Sequence, residues 1–131
     1  MSRLLDTNIC VSLLRGDDPA IATRLEAMDP RDLYLSSVVK AELLFGARKS
    51  HRPQTNLALL EAFFSQFDSI PFDDVAAEHY GRVRAAVEAK GTPVGASDLL
   101  IASIAMAHDL RVVTRNRREF SRIPGLAWES W

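Results

Sequence analysis

Three acidic residues, Asp6, Glu42 and Asp98, are the side chains of this sequence whose types and settings could do chemistry. Asp6 directly follows an apolar pair at positions 4–5, the start of a predicted strand, so we expect it at the carboxyl edge of a sheet. Glu42 and Asp98 are predicted on apolar helix stripes, where a carboxylate is costly unless a cation compensates it. If the three converge, a divalent cation is the natural compensation. Mg²⁺ fits, because it prefers oxygen ligands and uses few protein carboxylates.

Each of these carboxylates also has a plain structural interpretation. Asp6 can cap the following helix, as can Thr7 or Asn8. Asp98 can be a first-turn acid that the helix dipole stabilises, and Glu42 can lie at the margin of its stripe and face water. The functional interpretation depends on the residues predicted to share a helix face with each acid. They are Val38, Phe45 and Gly46 for Glu42, and Ile101, Ala102 and Ala105 for Asp98.

A second polar cluster, TRNRREF at positions 114–120, follows a late predicted strand. Asn116 and Glu119 could reach the same edge, as a ligand-orienting amide and a further carboxylate. The alternative is a solvated turn with Asn116 as a helix cap. There is no Walker A loop, GxGxxG motif or Ser-His-Asp order, and the three histidines lack metal-binding spacing.

Short strand-like runs alternate with helical stretches, which indicates an α/β domain with a mostly parallel sheet flanked by helices. We predict strands over 4–5, 33–35, 68–72 and 111–114, with 126–128 as a last edge strand. The helices are predicted over 9–16, 19–28, 38–48, 53–67, 74–90 and 98–109. In such folds the ligand site forms at the carboxyl ends of the strands, which is where the acidic residues are predicted.

Length and composition describe one ordinary globular domain spanning residues 1–131. Apolar residues make up 47% and charged residues 25%, which argues against disorder. Cys10 is the only cysteine, so an internal disulfide and a multi-cysteine zinc site are excluded. No signal peptide or membrane span is recognisable, and we expect a soluble cytoplasmic protein with no membrane partner.

The net charge of −1 hides two basic segments that adjoin the predicted acidic edge. One spans positions 111–122 and the other 40–52. Basic groups beside a metal site suit a polyanion such as nucleic acid, although such runs are often merely solvated. The candidates for holding an RNA backbone are Lys40, Arg48, Lys49, Arg115, Arg117, Arg118 and Arg122.

Four segments spread along the chain resemble the PIN-domain ribonucleases, specifically the VapC toxins of bacterial VapBC toxin–antitoxin pairs. They are LLDTNICVSLLRG, SSVVKAELLFGARKS, KGTPVGASDLLIASIAMAHDL and VVTRNRREFSRIPGL. The resemblance implies a PIN-like fold and a metal-dependent endoribonuclease. It also implies homodimerisation and inhibition by a VapB-type antitoxin, in a toxin–antitoxin hetero-oligomer, with tRNA, including the anticodon region of initiator tRNA, as the RNA substrate.

The same resemblance assigns roles to particular residues. Asp6, Glu42 and Asp98 would form the metal site for Mg²⁺ or Mn²⁺, and Glu119 would be a fourth catalytic acid. Thr7 and Asn116 would be polar positions that orient the substrate or ligands. Asn116 departs from the family pattern, since some PIN domains have Asp there, which bears on whether a second metal binds.

Two other classes of protein remain as alternatives. A phosphoacceptor receiver domain fits poorly, because no paired acid follows the first strand and no Lys ends the late strand. A catalytically silent PIN-like binding module has the same sequence pattern. Metal-dependent cleavage of RNA separates the enzyme from both.

Overall fold

The computed structural model describes residues 1–131 and contains five strands and seven α-helices. The strands are β1 (Arg3–Leu5), β2 (Leu33–Ser36), β3 (Asp68–Ile70), β4 (Arg111–Thr114) and β5 (Trp128–Ser130). The helices are α1 (Thr7–Arg15), α2 (Pro19–Glu26), α3 (Ser37–Lys49), α4 (Pro53–Phe64), α5 (Asp74–Ala89), α6 (Ala96–Ala107) and α7 (Arg117–Phe120). All strand pairs are parallel, in the order β3-β2-β1-β4-β5. The predicted α/β class with a parallel sheet is therefore confirmed.

Helix starts are set by side chains that accept hydrogen bonds from the first backbone N–H groups. Asp18 caps α2 ahead of Pro19, and Asp73 caps α5. Ser36, the last residue of β2, accepts a hydrogen bond from the Val39 amide and caps α3. Gly16 ends α1 with φ of 65°, a left-handed conformation that glycine adopts at low cost.

The central strands form the floor of the core. Leu4 and Leu5 of β1 and Val112 and Val113 of β4 are fully buried, as expected for parallel strands flanked by helices. The helix α6 contributes six buried residues to the same core. Cys10 is fully buried and unpaired, in agreement with its expected role as a small apolar side chain. None of the helices combines the length and apolar character needed to cross a lipid bilayer.

The sheet order places a switch of direction at its centre. From β1 the chain adds β2 and β3 on one side, and later β4 and β5 on the other. Ligand sites in such sheets form beside the carboxyl ends of the strands at this switch point. Asp6 follows β1 here, and Thr114 ends β4 next to it, because Leu5 pairs with Val113.

Three local predictions about the elements are wrong. The last strand is Trp128–Ser130 rather than 126–128, because the chain first turns at Gly125 (φ of 80°) and Trp128 pairs with Val112. The third strand stops at Ile70 and does not reach position 72, because Pro71 has no N–H with which to continue the ladder. The fourth helix ends at Phe64 rather than 67.

The apolar stripe predicted around Glu42 is also wrong. The buried residues of α3 are Val39, Leu43 and Ala47, spaced four apart, while Phe45 is 67% exposed and Gly46 is exposed as well. Glu42 precedes Leu43 and therefore flanks the buried stripe instead of lying on it. The stripe predicted for α6 is confirmed, since Ile101, Ala102 and Ala105 are fully buried.

Candidate active site

Asp6 lies buried at the end of the central strand, with 3% of its surface exposed. Its backbone N–H donates to the Val113 carbonyl at 2.9 Å, which continues the β1–β4 ladder by one residue. One carboxylate oxygen accepts from the Thr7 amide at 2.8 Å, and the other accepts from the Thr114 hydroxyl at 2.7 Å. Burial raises the pKa of the Asp6 carboxyl, and these two hydrogen bonds act in the opposite direction. Asp6 is thus both the cap of α1 and a carboxylate fixed at the sheet edge.

Asp98 is a partly buried acid in the first turn of α6. Its Oδ2 accepts a hydrogen bond of 3.0 Å from the Asn116 side-chain amide. Burial raises the Asp98 pKa to about 6, with further contributions from the negative charges of Asp6, Glu119 and Glu42. A first-turn acid whose dominant interaction was with the helix dipole would have a lowered pKa. Burial, together with the negative charges of three nearby carboxylates, therefore outweighs the helix dipole at Asp98.

Asn116 and Glu119 both reach that edge from α7 and the turn before it. Asn116 is the N-cap residue of α7, as the alternative interpretation had it, but its side chain makes no capping bond and donates to Asp98 instead. Its backbone N–H donates to the Thr114 hydroxyl at 2.9 Å. Glu119 accepts a hydrogen bond of 3.1 Å from the Gly95 amide at the start of α6.

Two polar atoms at the edge are buried and lack any hydrogen-bond partner. They are Oε1 of Glu42 and the hydroxyl oxygen of Thr7. Buried polar atoms without partners are rare in native structures because each costs free energy. Both residues are among those that line a groove of about 630 Å³ between α1, α3 and α4.

The donor set fits a hard divalent cation that keeps much of its water shell. All the candidate ligand atoms are oxygens, and one of them, on Glu42, is unsatisfied. No group of three or more His, Cys, Asp or Glu side chains is placed to hold a metal ion, so the structure does not bring Asp6, Glu42 and Asp98 together as a three-carboxylate ligand set. Mg²⁺ usually binds through one or two carboxylates and completes its octahedron with water or substrate phosphate.

The seven basic candidates differ in how far their charges are already engaged. Arg115 pairs with Asp18 and also donates to the Trp131 carbonyl at 3.2 Å, and Arg122 donates to the Pro93 carbonyl at 2.9 Å. The ammonium groups of Lys40 and Lys49 lie over the rings of Phe64 and Phe45, at 5.0 and 5.9 Å from the ring centres. Arg48, Arg117 and Arg118 are exposed and make no ion pair. Arg117 and Arg118 begin α7, which also carries Glu119.

Thr114 belongs to the site and was missed in the sequence. It is fully buried, donates to Asp6 and accepts from Asn116, so it joins the β1 and β4 ends of the edge. The signal was a polar residue ending an apolar strand beside a strand that ends in an acid. No local sequence pattern indicated the groove that Thr7 and Glu42 line, because this groove depends on how three helices pack.

A family model described as "PIN domain" matches residues 3–126, which include the sheet up to β4 and all seven helices. The class of protein that this fold and acidic edge define is therefore the PIN domain. The chain is 42% identical over 128 residues to "tRNA(fMet)-specific endonuclease VapC" of Salmonella typhimurium, covering 98% of this chain and 96% of the relative. It is 39% identical over 132 residues to "Ribonuclease VapC2" of Rickettsia felis, covering 100% and 98%. The chain belongs to the VapC family of PIN-domain ribonucleases.

Solved structures give the same result for the fold. DNA-bound VapBC from Salmonella typhimurium superposes with a TM-score of 0.94 at 41% identity, covering 100% of this chain and 98% of that chain. VapBC2 from Rickettsia felis, bound to a DNA fragment from its promoter, superposes with a TM-score of 0.93 at 37% identity, covering 100% and 99%. The predicted PIN-like fold and the resemblance to VapC proteins are confirmed.

Proposed function

We propose that this chain is the toxin of a VapBC-type toxin–antitoxin pair and acts as a Mg²⁺-dependent endoribonuclease. The observation that carries the proposal is the acidic edge, where burial and three further carboxylates raise the Asp98 pKa to about 6. Such mutual repulsion costs stability, and a bound cation would relieve it. The ribonuclease names of relatives that match nearly the whole chain support the same activity.

Asp6 and Asp98 would hold the cation directly, and Glu42 would bind it or orient a coordinated water through its unpartnered oxygen. Mn²⁺ would serve in the same place. When bound, the cation supplies a potent nucleophile from water at neutral pH and neutralises charge that develops on the phosphate. Thr114 and the Thr7 amide hold Asp6 in one orientation, and Asn116 does the same for Asp98. These hydrogen bonds hold the two carboxylates in place, so the carboxylates would not need to reorganise during the reaction.

RNA would approach the edge from the side of α7, where Arg117 and Arg118 are exposed and make no ion pair. Because these arginines have no acidic partner, they can bind phosphates without first breaking an ion pair. Because the nucleophile is water rather than the ribose 2′-hydroxyl, the products carry a 3′-hydroxyl and a 5′-phosphate. The proposed substrate is initiator tRNA, as the name of the Salmonella relative suggests. Within that tRNA, we place the proposed cut in the anticodon region.

A VapB-type antitoxin would neutralise the enzyme by occupying the groove between α1, α3 and α4. The groove is largely apolar, with Leu14 and Leu59 partly exposed in its walls, and Thr7 and Glu42 also line it. A peptide bound there would therefore lie against the acidic edge. The toxin would act as a homodimer and form a hetero-oligomer with the antitoxin, and the two superposed VapBC structures are consistent with such pairing.

Cleavage assays on purified tRNAs test the proposal. We expect wild type to cut initiator tRNA in the presence of Mg²⁺, to stop when EDTA is added, and to leave 5′-phosphate ends. Asp6→Asn and Asp98→Asn should be inactive and should no longer arrest growth when induced in a bacterial host. Asp68→Asn, which changes an exposed acid of β3, is the matched control and should keep full activity. Products with 2′,3′-cyclic phosphate ends would contradict the mechanism, and RNA that is bound but never cut would indicate a silent binding module.

A further inference from the structure

Glu119 makes a contact that none of the other three acids of the edge makes. Its Oε2 accepts the backbone N–H of Gly95, the N-cap residue of α6, at 3.1 Å. Gly95 has no side chain, so this N-cap provides no side-chain oxygen to its helix. The acceptor at the start of α6 therefore comes from a residue 24 positions later in the chain.

Asp98 occupies the position of α6 that normally makes this bond. Counting from Gly95 as N-cap, Asp98 is the third helical residue, and in a capping box the acidic or amide side chain at that position bonds back to the N-cap N–H. Asp98 also lies near Gly95, since its Oδ2 is 3.8 Å from where a Cβ on Gly95 would stand. The carboxylate instead accepts from Asn116.

We propose that Glu119 is a positioning residue that keeps Asp98 available to the metal. By taking the Gly95 N–H, Glu119 removes the local partner that would hold Asp98 against its own helix. Asp98 then stays directed toward Asn116 and the sheet edge, where Asp6 lies. This inference rests on the proposed function, because it assigns Glu119 to the support of the metal site and not to its ligand set.

Substitutions at Glu119 separate positioning from ligation. Glu119→Gln keeps a side-chain oxygen of the same reach and loses the charge. Glu119→Asp keeps the charge but is one methylene shorter, so it falls short of Gly95. Positioning requires Gln to work better than Asp, whereas direct ligation or a required negative charge reverses that order.

Mn²⁺ affinity, measured by calorimetry on the purified full chain, is the first readout. We expect Glu119→Gln to lose no more than about fivefold in Mn²⁺ affinity, because the hydrogen bond to Gly95 is kept while one negative charge near the site is removed. Glu119→Asp and Glu119→Ala should lose roughly 10- to 100-fold, the usual cost of removing a group that orients a metal ligand. Initiator tRNA cleavage rates should follow the same order. Glu61→Gln, an exposed glutamate of α4, is the matched control and should behave as wild type.

Amide hydrogen exchange of Gly95, measured by NMR without metal or RNA, tests the contact independently of activity. The Gly95 amide should be protected in wild type and Glu119→Gln, and should exchange faster in Glu119→Asp and Glu119→Ala. Wild type that neither binds Mn²⁺ nor cuts RNA would overturn the proposed function. Wild type that does both, combined with Glu119→Gln as impaired as Glu119→Ala or an unprotected Gly95 amide, would overturn the positioning role alone.

Discussion

Replacing Asp98 with Asn should make the metal-free protein more stable while abolishing its activity. Burial in the folded protein, together with the charges of three other carboxylates, raises the Asp98 pKa to about 6, whereas an unfolded Asp has a pKa near 3.9. Between these values the folded state binds more protons than the unfolded state, so stability falls as pH rises from about 4 to about 6. Above about pH 6 the penalty is complete. Asn at position 98 keeps an oxygen for the Asn116 hydrogen bond and removes the penalty.

The size of the effect follows from the shift and from exposure. A shift of roughly two units corresponds to at most about 3 kcal/mol at ~1.4 kcal/mol per unit. Asp98 is only about half-buried, and solvent screening reduces this to about 1 kcal/mol. For a domain of this size, 1 kcal/mol raises the melting temperature by about 3 °C.

Urea unfolding followed by tryptophan fluorescence measures the difference, with EDTA present and protein concentration fixed. We expect Asp98→Asn to gain about 1 kcal/mol at about pH 7.5 and only a small part of that at about pH 4, where the folded wild-type side chain is protonated and the unfolded one is about half ionised. Asp68→Asn is the control and should match wild type at both pH values. Added Mg²⁺ should stabilise wild type and leave Asp98→Asn unchanged. Equal or lower stability of Asp98→Asn at the higher pH would refute the view that the acidic edge is electrostatically strained.

Three further predictions concern other parts of the molecule. Thr114→Val should lower both Mn²⁺ affinity and RNA cleavage by roughly 10-fold or more, because Asp6 loses a buried hydrogen bond. Thr114→Ser should keep both near the wild-type level. Calorimetry and cleavage assays that find Val as good as Ser would contradict this role. The double variant Arg117→Gln/Arg118→Gln should raise KM more than it lowers kcat and reduce the slope of log KM against log salt by about 1.4. Arg24→Gln/Arg31→Gln, which changes Arg24 of α2 and Arg31 of the turn before β2, should leave KM unchanged, and equal effects of the two pairs would exclude a specific RNA contact. Gly16→Ala should lower the free energy of unfolding by about 1 kcal/mol, because alanine is strained at a φ of 65°. No atom obstructs the added methyl group, so no further cost is expected and cleavage activity should not change. A stability equal to wild type in urea would disprove this backbone strain.

The sequence predicted the fold class because local signals agreed with the parallel architecture. Asp18-Pro19, Ser36 and Asp73 begin helices as expected, since capping depends on the nearest backbone N–H groups. Element ends were less predictable where pairing decides them. The last strand lies two residues later than predicted because its register with β4 is set across the sheet, and no local pattern encodes that register.

Stripes on helices were predictable only where one face is buried unambiguously. On α6 the predicted stripe at Ile101, Ala102 and Ala105 is the core-facing one. On α3 the apolar residues surround the helix, and periodicity alone could not choose between the stripe with Phe45 and the stripe with Leu43. Packing of α3 against the sheet and α4 buries the stripe with Leu43, and Glu42 is left beside the groove.

By itself the sequence predicted which residues could do the chemistry: Asp6 after a strand, Asp98 in a first helical turn, and Asn116 and Glu119 after a late strand. These positions depend on short-range rules of strand ends and helix starts. Only the tertiary structure decided which contacts each of these groups makes. Hydrogen bonds between residues far apart in the chain fix Asp6 to Thr114 and Glu119 to Gly95, and the packing of three helices leaves the Glu42 oxygen without a partner. Such contacts form only when distant segments meet, so no local pattern could have specified them.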